Sequence, residues 1–290
     1  MKADELRSAI DSREDVEWDV AEEAVEAESR LGYLPSEGVP PLEEQEALAA
    51  QAAAASPPPA PSYPPAVDLR ATDRGSMVGP VRDQGSCGSC VAFGSCAAVE
   101  GTLRVERGEP GLEVDLSEAH LFYCAAAAQG RTCGGPTGGW FPKAALDVFA
   151  QQGVPDEACF PYTPGDQACA SCTDWEARAT RIAAWQPLHS PPEMKQWLAN
   201  HGPIVGSMVV YQDFQYYAGG VYRHVSGNQL GGHCVCIVGY DDEAGYWICQ
   251  NSWGGGWGEG GFFRIAYGEC AIDSGALGVE GVRTPTPAAS

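Results

Sequence analysis

Gln84-Gly85-Ser86-Cys87-Gly88-Ser89-Cys90-Val91-Ala92-Phe93 carries a glycine-rich loop into an apolar run, and the fold is read outward from that turn. Ser89 stands where a helix is capped. From Cys90 to Arg107, Ala92, Phe93, Cys96, Ala97 and Leu103 form an apolar stripe, and Gly108 ends it. Such a stripe predicts a buried helix with Cys90 at its N-terminus. There, unsatisfied N–H groups and about half a positive charge favour a thiolate over a thiol. Gly85 and Gly88 let the loop turn sharply and bring backbone donors near a bound carbonyl. The pair Cys87 and Cys90 also has the spacing of a redox motif or half a zinc site. A redox motif needs a preceding parallel βαβ unit, which is not visible. The second pair, Cys169 and Cys172, has no histidine nearby to complete a zinc set. No metal and no cofactor are expected.

The first half of the chain beyond Ala66 reads as mainly helical. One helix starts near Ser117 and includes Leu121 and Phe122. Another runs from Pro142 to Gln152 and stops at Gly153, and a capping box of Ser190, Pro191 and Glu193 opens a third through Trp197 to Asn200. The second half changes period. Ile204 to Tyr211, His233 to Tyr240, Tyr246 to Gln250 and Gly261 to Ala266 are short apolar or alternating runs separated by Gly, Asp or Asn, the pattern of antiparallel strands. Helices followed by strands predict an α+β fold of two subdomains, with a cleft between them for a site.

A thiolate nucleophile needs an imidazole to hold its proton, so the five histidines are candidates. His120 lies on an expected helix, His189 precedes a helix cap, His201 adjoins a helix end and His224 sits in a short strand or loop; all four read as ordinary surface or core residues. His233 differs, because Gly231-Gly232-His233 opens a strand that a β core would bury, leaving the ring at its edge facing a cleft. Downstream lies Gln250-Asn251-Ser252-Trp253-Gly254.

From Val67-Asp-Leu-Arg70 through Gln84 to Gly101, and again at Asn251-Ser-Trp-Gly, the sequence resembles papain and the cathepsins, with the local signature known for that family. Leu116-Ser-Glu118, Cys133, Gly138-Gly139, Pro161-Tyr162, Gly219-Gly220, Gly239-Tyr240 and Trp257-Gly258 extend the resemblance over about residues 65 to 280. It implies a papain-like fold, with a helical left subdomain (about 75–175), an antiparallel β-barrel-like right subdomain (about 176–283) and the active-site cleft between them. It implies that Cys90 is the nucleophile, His233 its base and acid, and Asn251 the orienter of the ring, with Trp253 shielding their hydrogen bond. Gln84 and the Cys90 backbone N–H then form the oxyanion hole. Val91 departs from the tryptophan usual at that position. Disulfides Cys87–Cys133 and Cys124–Cys169 carry over, with Cys159 and Cys172 left close enough for a third. Cys96, Cys234, Cys236, Cys249 and Cys270 read as small buried thiols. For substrate, Gly138 and Gly139 resemble the stretch that pairs with a peptide backbone. Trp140, Ser207, Gly232, Cys234 and Gly275 surround an apolar pocket, uncharged at its base, for the second residue before the scissile bond, and Trp257 is assigned to substrate binding. The implied activity is that of a cysteine endopeptidase acting on peptides or proteins. Alternatives are a catalytically reduced peptide-binding homologue and a peptide ligase using the same acyl-enzyme.

Charge divides the chain. Residues 1–60 hold 15 acids and 4 bases, about half of a net charge of −22, which argues against a nucleic-acid partner. The apolar stretches fall short of the roughly 20 residues that span a bilayer. Residues 1–64 therefore form a separate acidic prosegment, where the resemblance places an inhibitory propeptide. A helix is expected around Trp18, Val20 and Val25. The Ala-rich Ala47 to Ala55 and the run Ser56 to Pro65 form an exposed linker cut between Ala55 and Ala66. Residues 65–283 are the peptidase domain and 284–290 a tail. Acid is expected to loosen the prosegment by protonating carboxylates that contact bases on the enzyme. Twelve cysteines favour an oxidising compartment, whether secreted, periplasmic or lysosome-like. Residues 1–30 lack a charged-then-apolar signal pattern, so a signal peptide was removed or never existed. A monomer is expected.

Overall fold

The computed structural model describes residues 2–34, 44 and 63–285. The Ala-rich stretch, most of the Pro-rich run and most of the expected cleavage region lie outside the described residues. In chain order the elements are α1 (Ala3–Asp11), β1 (Trp18–Val20), β2 (Ala66–Asp68), α2 (Cys90–Arg107) and a π-helical segment, His120–Ala126. They continue with α3 (Pro142–Gln151), α4 (Trp175–Arg178), β3 (Ala184–Leu188), α5 (Pro191–Asn200), β4 (Ile204–Tyr211), β5 (Tyr217–Tyr222), β6 (Gln229–Asp241), β7 (Tyr246–Gln250), β8 (Phe262–Ala266) and β9 (Ala276–Glu280).

α2 is the axis of the helical half. Nearly every residue from Cys90 to Arg104 is buried, and Gly108, left-handed at φ 65°, ends it. Its outer turns pack on α3 and its inner face lies against β6. Each fully buried large apolar side chain here, such as Leu103 or Phe149, contributes roughly 1.5–3 kcal/mol. Ser89 does not cap α2 with its side chain; its hydroxyl bonds the Tyr162 hydroxyl at 2.8 Å instead. The Ser190 box is also built differently, since Glu193 accepts from the His189 N–H at 2.6 Å. Ser117 does act locally as a cap, accepting from the His120 N–H at 3.0 Å. Disulfides Cys87–Cys133, Cys124–Cys169 and Cys159–Cys172 cross-link the loops of this half.

The β half is a nine-stranded sheet in the order β1-β5-β8-β7-β6-β4-β9-β3, with β2 also paired to β6. The expected barrel-like closure is corrected here. The path ends at β1 on one side and β3 on the other, and β5 pairs with β8 in parallel, so the sheet is mixed and open. β6 pairs with β4 on one edge and with β7 on the other. His233 stands opposite Met208, and Cys236 stands opposite Gln250, next to Asn251.

The acidic segment also departs from expectation. Its helix is at Ala3–Asp11, where Leu6 and Ile10, four residues apart, are buried. Trp18–Val20 is extended, with Trp18 opposite Gly220 and Asp19 opposite Gly219 on β5. The reason is tertiary: β5 offers a free edge, and the Trp18 ring packs on Tyr222 and Tyr217 at centroid distances of 5.3 and 6.2 Å while its indole N–H donates to Arg223 O at 3.0 Å.

Three carboxyls of the helical half, Glu100, Glu118 and Glu157, are held above the ordinary glutamate value. Burial pushes Glu100 and Glu157 up to about 7 and holds Glu118 well above the usual carboxylate range, with repulsion from neighbouring acids adding to it. Such a group keeps its proton in the folded chain after the unfolded chain has lost its own. The stability it carries is complete below the ordinary glutamate value of 4.5 and is lost as pH rises through the folded pKa. His120 and His233, which burial pushes down to about 4, act in the opposite sense below 6.5. Glu118→Gln, which removes one carboxyl and leaves both histidines, is therefore expected to raise the Tm at pH 7.5 by several degrees and change it little at pH 4.5. Scanning calorimetry of both proteins at the two pH values checks this.

Candidate active site

Cys90 opens α2, and its sulfur is approached by the backbone N–H of Cys234, the residue that follows His233 on β6. The His233 Nε2 donates to Asn251 Oδ1 at 2.7 Å, and the same oxygen accepts the Ser252 N–H at 2.8 Å, so the amide orientation is settled by two donors. This leaves Nδ1 of His233 as the bare nitrogen. It is buried and has no hydrogen-bond partner among the described residues. An orphaned buried polar atom costs about 1–3 kcal/mol, so the site holds an acceptor in reserve. The Trp253 ring covers the imidazole at 5.0 Å between centroids. Trp257 lies behind Trp253 in an aromatic cluster with Phe214, Tyr217 and Phe263, which places it in the core and not against a peptide.

Gln84 ties the two halves together. Its backbone N–H donates to Ser252 O at 2.9 Å, and its side-chain Oε1 accepts from Ser252 Oγ at 2.6 Å. Its Nε2 donates to Cys87 O and to Arg30 O, both at 2.7 Å. Tyr162 adds a brace by donating its hydroxyl to Gln84 O at 2.9 Å. Ser252 and Tyr162 were visible in matched motifs, but their bonds to Gln84 join distant parts of the chain and had no signature of their own.

The segment from Ala27 to Leu34 runs through the cleft. Gly32 O accepts from the Trp140 N–H at 2.7 Å, Trp140 O accepts from the Leu34 N–H at 2.9 Å, and the Tyr33 N–H donates to Gly232 O at 3.1 Å. The backbone pairing therefore comes from Trp140, and Gly138 and Gly139 make none of it. Their part is clearance, since a Cβ on Gly139, which has φ +81°, would stand 2.3 Å from Gly32 O. Gly32 is itself confined, because a Cβ there would lie 1.9 Å from Gly88 O. The signal for this segment in the sequence was slight: Leu31-Gly32-Tyr33, a glycine between two apolar residues at the end of the acidic run.

Beside the cleft lies a cavity of about 130 Å³, with Tyr33, Ser207, Gly275, Val205, Leu277 and Lys143 in its wall. Of the residues expected around a substrate pocket, Ser207 and Gly275 line this cavity. Gly232 faces the Tyr33 ring, whereas Trp140 and Cys234 do not line the cavity. Trp140 is fully buried with its indole N–H on Gln129 Oε1, and Cys234 sits against Gly94 of α2. Lys143 is a basic residue among those lining this cavity. His224, read as an ordinary surface residue, is half-buried, bonded to the buried Asp213 at 3.1 Å and stacked on Tyr211.

With this covering in place the Cys90 sulfur and the His233 ring are both fully buried. Burial pushes the thiol up to about 12, against which N–H groups of Cys234, Gly32 and Val91 pull only in part. Burial likewise pushes the imidazole down to about 4, offset in part by its bond to Asn251 and reinforced by the Arg30 charge. At neutral pH these shifts leave Cys90 a thiol and His233 an uncharged imidazole.

A family model described as Papain family cysteine protease matches residues 63–279. The chain is 38% identical over 213 residues to Cathepsin B-like CP3 of Giardia intestinalis, a stretch covering 68% of each chain. It is 34% identical over 221 residues to Ananain of Ananas comosus, covering 73% of this chain and 60% of that one. Among solved structures, proCathepsin B S9 from Trypanosoma congolense matches with a TM-score of 0.75 and 25% identity over 97% of both chains. Digestive procathepsin L2 proteinase from the Tenebrio molitor larval midgut matches with a TM-score of 0.70 and 26% identity over 95% of this chain and 88% of that one. The chain belongs to the papain family of cysteine proteases, and it is a peptidase.

The fit of Gly32 gives a direct prediction. Gly32→Ala forces its methyl into the Gly88 carbonyl, so the segment must lift from the cleft. Full-length Gly32→Ala is expected to react with iodoacetamide at Cys90 at least about tenfold faster than the unchanged protein, as a lost contact of more than about 1.4 kcal/mol implies. Mass mapping of the alkylated peptide over time checks it.

Proposed function

We propose that this protein is a cysteine endopeptidase made as a zymogen, with residues 1–64 as its intramolecular inhibitor. The observation that carries the reading is the course of Ala27–Leu34, whose Arg30 carbonyl takes the Gln84 amide while Gly32 lies over Cys90. In the uncovered enzyme, water reaches the pair and the helix N-terminus favours the thiolate, so Cys90 and His233 become an ion pair. The Cys90 sulfur attacks the peptide carbonyl, and the resulting oxyanion is held by Gln84 Nε2 and the Cys90 N–H. His233 gives its Nδ1 proton to the leaving amine, and an acyl-enzyme remains. Water, deprotonated by the same nitrogen, then releases the acid. Asn251 keeps the ring in the tautomer and orientation both steps need, and Trp253 keeps water from that hydrogen bond.

The five histidines are all separate in the sequence, with no paired-histidine insertion like the one that goes with dipeptide release, and this supports internal cleavage. The cavity holding Ser207 and Gly275 supports a bulky apolar side chain, with room at Lys143 for a polar tip. Three disulfides support a secreted, periplasmic or lysosome-like setting, and no helix among the described residues is long and apolar enough to cross a membrane.

The role proposed for acid is revised. Among the described residues, one ion pair joins residues 2–34 to the rest of the chain, Arg30 with Asp83 at 2.7 Å, and in it the prosegment supplies the base. Arg7 and Arg13 pair within the segment, with Asp4, Glu22 and Asp15. Residues 2–34 are held by strand pairing, apolar burial and close backbone contact, so among the described residues no prosegment carboxylate in an ion pair with the enzyme supplies a release switch.

Two measurements test the function. Cys90→Ser is expected to abolish turnover of peptide substrates with the fold intact by circular dichroism, and Asn251→Ala to lower kcat/KM without abolishing it; equal and complete loss in both sinks the assigned roles. In the full-length chain cut within the linker, the rate of Cys90 alkylation is expected to rise with a midpoint well below the free-thiol value of about 8.5. A single rise near that value would show that Cys90 is not activated.

A further inference from the structure

Arg30 is held at the reacting centre by two contacts of different kinds. Its carbonyl oxygen lies 2.7 Å from Gln84 Nε2, and its guanidinium Nη1 lies 2.7 Å from Asp83 Oδ1. The Asp83 carboxylate is itself fixed, because Oδ1 also accepts the Gly85 N–H at 2.9 Å. Its backbone forms a bridge with Trp253, and a Cβ on Gly254 would stand 3.1 Å from its Oδ2. Asp83 therefore lies on the side of the cleft that Trp253 walls, beside the imidazole that hands a proton to the leaving amine.

The other side is marked by Tyr33, which borders the cavity of Ser207 and Gly275. Between the two, Leu31 and Gly32 pass over Gly88, whose added Cβ would meet Leu31 O at 2.8 Å. Counting from Tyr33, the chain crosses the thiol before it reaches Arg30. Arg30 thus occupies the leaving-group side, and its charge is near enough to lower the His233 pKa.

We propose that Asp83 is a specificity residue that recognises a basic side chain, arginine or lysine, immediately after the scissile bond. The inference rests on the peptidase reading and deepens it. In the zymogen Arg30 fills this position from a segment that cannot be cut there, because Gly32 and not a substrate carbonyl lies over the sulfur. Once the segment leaves, the carboxylate faces an open subsite. Arg82, the adjacent base, is paired with Asp115 and does not neutralise it. Asp83 is 53% exposed, so the pair is screened and contributes up to about 1 kcal/mol, equivalent to about fivefold in kcat/KM. The effect belongs to acylation alone, since the basic residue departs with the leaving amine and cannot influence hydrolysis of the acyl-enzyme.

The test uses the full-length protein activated by cutting within the linker, with active sites titrated by a thiol-reactive peptide epoxide. Quenched fluorescent peptides, identical except for Arg, Lys, Leu or Glu after the cleaved bond, are compared, and mass spectrometry verifies the bond cut. The expected result is a kcat/KM about fivefold higher for Arg and Lys than for Leu, with Glu lowest. The preference should shrink toward unity in Asp83→Asn and at 1 M salt, and persist in Asp83→Glu. An enzyme that titrates and cleaves but shows no preference for Arg or Lys overturns the assignment, as does a preference unchanged in Asp83→Asn. An enzyme that neither titrates nor cleaves any of the peptides overturns the peptidase reading itself, and this inference with it.

Discussion

The side-chain amide of Gln84 is the joint on which the site depends. It is fixed by Ser252 of the β half through Oε1 and by Cys87 of the helical half through Nε2, so the two halves cannot shift without moving a donor beside the nucleophile. A preorganised donor of this kind needs no rearrangement when charge develops on a substrate oxygen, and in a site shut off from water its effect is large. Ser252 is linked in turn through its N–H to Asn251 Oδ1, which holds the His233 ring. Gln84 and His233, the proposed oxyanion donor and base, are thus two ends of one hydrogen-bonded chain, braced from outside by Tyr162.

The covering of Cys90 works by the same geometry. A peptide placed in the cleft gains from Gln84 and Trp140 whether or not it can be cut. Ala27–Leu34 takes both while presenting no reactive carbonyl to the sulfur. Excluding water has a second effect. It raises the thiol and lowers the imidazole, so the ion pair needed for attack is unfavourable for as long as the segment stays. On the proposed zymogen reading, steric and electrostatic inhibition are one event and end together when the segment leaves.

Attachment of the acidic segment rests on shape more than charge. Trp18 fills a place among Tyr217 and Tyr222, β1 completes the edge of β5, and Gly32 fits where a larger residue meets Gly88. Exposed ion pairs contribute little, and most of those in the segment are internal.

Much was legible in the sequence because it was local. A thiol at the first residue of a buried helix and four of the five strands from Ile204 to Ala266 follow from period and turn residues and single out Cys90 and His233, while Asn251 and Gln84 were named by the family resemblance. What the sequence could not show depends on pairing between distant segments. Trp18–Val20 is a strand only because β5 presents an edge, and a three-residue run has no periodicity of its own. Trp140 and Cys234 left the expected pocket for the core because side-chain direction is set by what packs behind them. The open sheet, the passage of Gly32 over Gly88 and the meeting of Arg30 with Asp83 across 53 positions were decided by tertiary structure alone, since contacts of that range arise only once the chain has closed on itself.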